Sequence, residues 1–203
     1  MKLHVTLTSP YARLARIAII EHGLDGRVDV IEARTRQTGS PYYATNPSGR
    51  VPYLELGNGC GFEESNLICA YFDHIGSGPP LVWAPEHADW EYGRLDALAR
   101  SFVDGISVWS RELRRPETER SPAIIAHETA RAERFVDVWS KEVRHPIMQG
   151  APNLAQLTLL AAIDSARVSL NRDFTAPSEA IAVWYQRLAQ RPSIVATRAP
   201  CPA

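Results

Sequence analysis

The sequence predicts a small α/β domain followed by an all-helical domain. Three observations predict it. Residues up to Gly76 alternate short strand-like and helix-like patterns. A break in composition follows at Gly76-Ser77-Gly78-Pro79-Pro80. Everything downstream carries helical spacing only.

Within the first half, Leu3, Val5 and Leu7 point one way and Lys2, His4, Thr6 and Thr8 the other, the period of a strand. Leu14, Ile17, Ala18 and Ile20 give a helical face, and Gly23 is a natural residue just past its C-terminus. Val28 to Ile31 reads as a second strand, and Pro41 to Thr45 leaves room for one short helix. Val51 to Leu56 is a third strand, joined through Gly57-Asn58-Gly59 to a fourth at Cys60 to Phe62. Leu67, Ile68, Tyr71, Phe72 and Ile75 then mark a helix closed by Gly76. In the second half, Leu95, Leu98, Phe102, Ile106, Trp109 and Leu113 form one long stripe that ends before Pro116. A second stripe runs through Ile125, Ala132, Phe135, Val136, Trp139 and Val143. Asn153 opens a third helix with Gln156 at the capping-box position, and Ile181, Trp184, Tyr185 and Leu188 mark a fourth, stopped at Arg191-Pro192. The expected boundaries are 1–77 for the α/β domain, 78–87 for a linker and 88–203 for the helical domain.

At 203 residues the chain has ample material for a buried core. A formal net charge of −1 argues against nucleic acid or an anionic membrane as partner. The chain enters a strand pattern at once, with no basic segment leading into an apolar run, and no apolar stretch approaches the roughly 20 residues that span a bilayer. Cys60, Cys69 and Cys201 form no CxxC pair, which suits a reducing cytoplasm of bacterial type. His4, His22, His74, His87, His127 and His145 show no metal-ligand spacing, so no metal is expected. Neither a dinucleotide-binding nor a P-loop glycine pattern is present, and no GxSxG elbow supports a serine triad.

Three short stretches carry chemistry. In "NPSGRVPYLEL", Pro52 sits near a strand start, where its missing N–H is tolerated. A cis Val51–Pro52 bond there would turn the Val51 amide and carbonyl outward, toward a peptide-like ligand. In "FEESNLICAYF", Glu64 and Ser65 stand at a helix start, where free N–H groups and partial positive charge suit a carboxylate. Ser65 can donate to that carboxylate while Glu64 accepts from an ammonium, or Ser65 is simply the cap and Glu64 a surface acid. In "TLTSPYARLARIAIIEHGL", Ser9 stands where strand hands over to helix, either as a cap or as a group facing a ligand.

Together these motifs resemble the soluble glutathione transferase family, over nearly the whole chain. The spacing N-P-x-G-x-V-P-x-L followed by E-S is similar to that family's glutathione-binding half, while "APNLAQLTLLAAIDSA" and "RPS" fall where its helical half has a capped core helix and a tail. The resemblance implies a thioredoxin-like domain followed by an all-α domain. It implies a cis Pro52, a Val51 backbone paired with the cysteinyl part of glutathione, and Glu64 and Ser65 on the γ-glutamyl end. Arg50 lies where relatives place a basic residue near the glycyl carboxylate, or is a solvated charge. Ser9 is similar to the serine of the Ser-type classes, which donates a hydrogen bond to the glutathione sulfur; Thr8 is the alternative hydroxyl. Tyr11 lines the electrophile pocket or packs against the linker, and Trp109 is an electrophile-side candidate on a stripe that otherwise reads as core or domain interface.

The implied activity is conjugation of glutathione, as co-substrate, to small hydrophobic electrophiles in detoxification, by a cytoplasmic homodimer. Mixed-disulfide chemistry is not expected, because no cysteine stands at or near Ser9. Two rival readings share the fold: a non-catalytic module that binds glutathione or a partner protein, and a glutathione-dependent dehalogenase, isomerase or peroxidase.

Overall fold

The computed structural model describes residues 1–82 and 90–200. Residues 83–87 of the expected linker, His87 among them, and Cys201 lie outside the described residues. The described chain divides into two compact units, 1–82 with Pro192–Pro200 and 90–191.

The first unit runs β1 (Lys2–Val5), α1 (Pro10–Glu21), β2 (Asp29–Glu32), α2 (Tyr42–Thr45), β3 (Tyr53–Glu55), β4 (Gly61–Glu63) and α3 (Ser65–Ile75). The sheet order is β2-β1-β3-β4. β1 and β2 are parallel, with α1 as the crossover that parallel strands require, whereas β3 is antiparallel to both β1 and β4. This is a thioredoxin-like α/β unit, and a helical unit follows it.

Local chemistry sets both ends of α1. Pro10 occupies the first helical position, where a missing N–H costs nothing, and Ser9 is the N-cap. At the other end Gly23 takes φ +64, its N–H reaches the Ile20 carbonyl at 3.2 Å and the Leu24 N–H reaches that of Ile19 at 2.8 Å. That pair of bonds is a Schellman stop. β1 departs from simple alternation. Leu3 and Val5 are buried as expected, but His4 is buried too, bonded to Glu55 Oε2 at 2.9 Å and packed near the Tyr42 ring. An inner strand with both faces covered has no solvent side to alternate toward. Leu7 lies beyond the strand, in the turn closed by Ser9 N–H to the Thr6 carbonyl. On α3 the buried residues are Ser65, Ile68, Cys69 and Phe72, and Leu67 faces water.

Two side-chain clasps complete this unit. The Asp73 carboxylate accepts from the Leu81 and Val82 N–H groups at 3.0 and 2.8 Å, and lies 2.7 Å from Nε2 of the buried His22. The second clasp was not legible in the sequence, which assigned everything from residue 88 onward to the helical domain. The short helix α9 (Pro192–Ala196) joins the first unit and packs on α1. Arg13, only 4% exposed, donates to Thr197 Oγ1 at 3.3 Å and to the Ile194 carbonyl at 3.1 Å. Arg16 reaches the Thr197 carbonyl at 3.2 Å, and Ser193 Oγ donates to Glu21 at 2.5 Å. Burial and the neighbouring Arg13 charge both push the Arg16 guanidinium down from its ordinary range.

The second unit contains α4 (Trp90–Leu113), a short 3-10 turn at Glu117–Glu119, α5 (Pro122–Glu142), α6 (Pro146–Gln149), α7 (Leu154–Leu170) and α8 (Glu179–Ala189). All four stripes read from the sequence are helices; the 3-10 turn and α6 are additions. α7 is the central element, packed against α4 and buried at every position from Leu154 to Ile163. A helix apolar nearly all round belongs inside a core. Its start corrects one expectation. Asn153 Oδ1 accepts from the Gln156 N–H at 3.1 Å, which is half a capping box. The other half is missing, because the fully buried Gln156 side chain donates instead to the Ile147 carbonyl at 2.8 Å. Asn153 Nδ2 donates to the same carbonyl at 2.8 Å, so these amides tie the end of α6 to α7.

Replacing Asp73 by Ala orphans two backbone donors and the ring nitrogen of a buried histidine. We expect Asp73→Ala to lower the unfolding free energy by about 2–4 kcal/mol, seen as a lower urea midpoint. A midpoint equal to wild type would show that the clasp contributes nothing.

Candidate functional site

Strand register brings three motifs to one end of the sheet. His4 of β1 pairs with Tyr53 of β3, and Tyr53 pairs with Glu63 of β4. The chain therefore leaves β1 toward Ser9 on the side from which it enters β3 through Val51-Pro52. It leaves β4 into Glu64-Ser65 on that same side. The Val51–Pro52 peptide bond is cis, the geometry the resemblance implies.

The segment from α2 to β3 is held from within by Asn46, which is only 3% exposed. Its Nδ2 donates to the Arg50 carbonyl at 3.0 Å, to Glu63 Oε2 at 3.1 Å and to the Tyr42 hydroxyl at 3.4 Å. Its Oδ1 accepts from the Ser48 N–H at 3.1 Å, the turn geometry that Asn side chains favour. The Tyr42 hydroxyl also donates to the Arg50 carbonyl, and burial pushes that phenol up, so it stays protonated. Ser48 Oγ accepts from the Arg50 N–H at 3.1 Å and donates to Glu63 Oε2 at 2.5 Å. Gly49 takes φ +66, and a Cβ there would stand 2.6 Å from the Tyr43 ring, so only glycine fits. The Arg50 backbone is thus fixed at both polar groups. Its side chain is 77% exposed, 3.9 Å from the carboxylate of Glu64, which is also exposed.

Glu64 and Ser65 differ from the capping alternative. Glu64 itself is the N-cap of α3, at φ 75 and ψ 116, and its side chain makes no cap hydrogen bond. A non-glycine residue in that region is held there by its surroundings. Ser65 is the first helical residue and is buried. Ser9 does cap α1: its Oγ accepts from the Ala12 N–H at 3.2 Å. That bond uses a lone pair only, and among the described residues the hydroxyl proton has no acceptor. Thr8 is exposed in the preceding turn and Tyr11 is partly exposed at the first turn of α1. Trp109 is almost wholly buried within the helical unit, with the Arg172 guanidinium 6.0 Å from its ring centroid. The structure thus gathers Ser9, Arg50, Val51, Pro52, Glu64 and Ser65 at one sheet end and places Trp109 in a core. Asn46 and Glu63, which organise the loop, were missed by the sequence reading. The Asn-Pro-x-Gly turn signature was the signal for the first.

Among the described residues, no three His, Cys, Asp or Glu side chains converge as metal ligands, and no helix is long and apolar enough to cross a membrane.

Residues 3–80 match the family model for the glutathione S-transferase N-terminal domain. The two units have the thioredoxin-like α/β and all-helical folds of solved glutathione transferases. A glutathione transferase family member from Pseudomonas fluorescens Pf-5, solved with bound S-(propanoic acid)-glutathione, superposes with TM-score 0.86 at 26% identity, covering 98% of this chain and 100% of that one. A glutathione S-transferase from Methylobacillus flagellatus with glutathione bound gives TM-score 0.87 at 25% identity, covering 98% and 99%. Among curated proteins, glutathione S-transferase 2 of Saccharomyces cerevisiae is 24% identical over 96% of this chain and 88% of its own length.

The hydrogen bonds at Glu63 from Ser48 and Asn46, with Arg50 nearby, hold its carboxyl below the ordinary glutamate range. A depressed folded-state pKa means that the ionised group stabilises the fold above the unfolded-state pKa and loses that effect as pH falls through the folded one. Unfolding free energy measured against pH should therefore fall on acidification below about pH 4.5, and Glu63→Gln should flatten that slope. At neutral pH, Asn46→Ala should cost about 2–4 kcal/mol in urea unfolding, since it strips partners from Arg50, Ser48 and Glu63 together.

Proposed function

We propose that the chain is a glutathione transferase of Ser type, joining the sulfur of glutathione to a small hydrophobic electrophile. The observation that carries this reading is Ser9. Its oxygen caps α1 and, among the described residues, its proton has no acceptor, at the same sheet end as the cis Val51–Pro52 bond and the Glu64-Ser65 helix start. The Pseudomonas and Methylobacillus relatives, with glutathione or an S-substituted glutathione bound, support the same ligand class for this chain.

In this reading the Val51 backbone pairs with the cysteinyl residue, Glu64 accepts from the γ-glutamyl ammonium and Ser65 with the α3 N-terminus meets its carboxylate. Arg50 meets the glycyl carboxylate. The Arg50–Glu64 contact is an open surface pair at 3.9 Å, worth little, so separating the two charges for a ligand costs little. A free thiol has a pKa of about 8.5. A hydroxyl donor at Ser9 and the positive end of α1 both stabilise the thiolate, which lowers that value. The thiol proton passes to solvent. The sulfur lone pair then forms a C–S bond to the electrophilic carbon, and the electron pair of the broken bond leaves with the departing group. In this reading Tyr11, one residue past Pro10 and partly exposed, is a candidate for the electrophile side.

The test is Ser9→Ala with purified protein and a panel of electrophiles. Loss of one donor aimed at developing charge should lower turnover about 10²–10³-fold and raise the pKa of the bound thiol, read from thiolate absorbance. Unchanged conjugation would leave Ser9 as a cap only. Glutathione binding by wild type without any thiolate would favour the non-catalytic module, and no binding at all would end both glutathione readings.

A further inference from the structure

The acid next to the glutathione motif has a role that the motif itself does not assign. Glu63 Oε2 receives two hydrogen bonds, from Asn46 Nδ2 at 3.1 Å and from Ser48 Oγ at 2.5 Å. Each of those groups also holds Arg50: Asn46 through its carbonyl at 3.0 Å, Ser48 through its N–H at 3.1 Å. Both backbone polar groups of the residue before Val51 are thus tied, through one intermediate each, to a single carboxylate oxygen. Glu63 is also the last residue of β4, paired with Tyr53 in the ladder, and Glu64 follows it at φ 75.

We infer that Glu63 is a positioning residue: its Oε2 locks the α2–β3 loop to the end of β4, fixing the Val51 backbone and the Glu64 side chain in one frame. Val51 and Glu64 come from different strands and would contact different parts of one tripeptide. Their spacing has to be set before the ligand arrives, or binding must supply the ordering. Ladder pairing alone stops short of this. The β1–β3 and β3–β4 registers reach Tyr53 and Glu63, whereas Val51, Pro52 and Glu64 lie beyond them. The Glu63 carboxylate bridges that gap. This inference rests on the reading of the site given above.

The test compares wild type, Glu63→Ala and Glu63→Gln by calorimetric titration with glutathione and by steady-state kinetics with an electrophile that wild type turns over. Glu63→Ala should raise the glutathione Kd and KM about 10–100-fold, with kcat at saturating glutathione within about threefold of wild type. Glu63→Gln keeps an oxygen acceptor and should bind within about threefold of wild type. A loss of stability alone would not split KM from kcat in this way, nor be rescued by the amide. If Glu63→Ala does not fold, Ser48→Ala removes one of the two links from an exposed position and should raise Kd severalfold. Wild-type affinity in the folded alanine variants, or a glutamine variant as weak as the alanine one, overturns the inference alone. Absence of glutathione binding by wild type overturns it together with the function proposed above.

Discussion

The buried side chain of Asn46 has two N–H protons and one carbonyl oxygen to satisfy in a place almost closed to water. It satisfies them with Arg50, Glu63, Tyr42 and Ser48, four residues drawn from α2, the loop after it and the end of β4. An unpaired amide there would cost the full desolvation of its polar atoms, so these neighbours are constrained together. The short strands cannot impose that order, because β3 and β4 each supply only 3 residues to the ladder. At the open end of the sheet, a polar hub takes over from backbone pairing.

The helical unit solves the same problem by opposite means. α7 is buried along most of its length, and its shape is set by apolar packing against α4. Its polar exceptions sit where packing needs a direction: Gln156 and Asn153 draw the end of α6 onto the helix start, and Thr158 Oγ1 reaches Asp96 of α4 at 3.4 Å. Trp184 adds a bond from its indole N–H to the Met148 carbonyl at 2.9 Å. Such bonds fix how one helix meets the next, and apolar burial supplies most of the stability.

Periodicity made the element order legible, because strand and helix repeats depend on neighbours in the sequence. Every strand and helix read from the first half is present, although β1 stops at Val5, short of the alternation read through Thr8. The three boundary motifs were legible as well, since Ser9-Pro10, Val51-Pro52 and Glu64-Ser65 each mark an element boundary with residue types that are unusual together. What could not be read is what depends on contacts in space. His4 looked solvent-facing because alternation assumes one wet face, and β1 has none. Glu63, just past the strand read at Cys60 to Phe62, drew no role from the sequence, since its two partners lie 15 and 17 residues upstream. Gln156 looked like the second half of a capping box, and only the path of the chain around Ile147 shows where its amide goes.

The placement of α9 bears on the order in which this protein can be finished during synthesis. Arg13 and Thr197, partners in one buried bond, are 184 residues apart. At synthesis rates of about 5–20 residues per second, the first strands and α1 wait on the order of ten to forty seconds for their last partner. Over that interval the whole helical unit is made and has its own core to form. The α/β unit, first in the sequence, is therefore the last to be completed, and the guanidinium of Arg13 stays hydrated until α9 arrives to cover it.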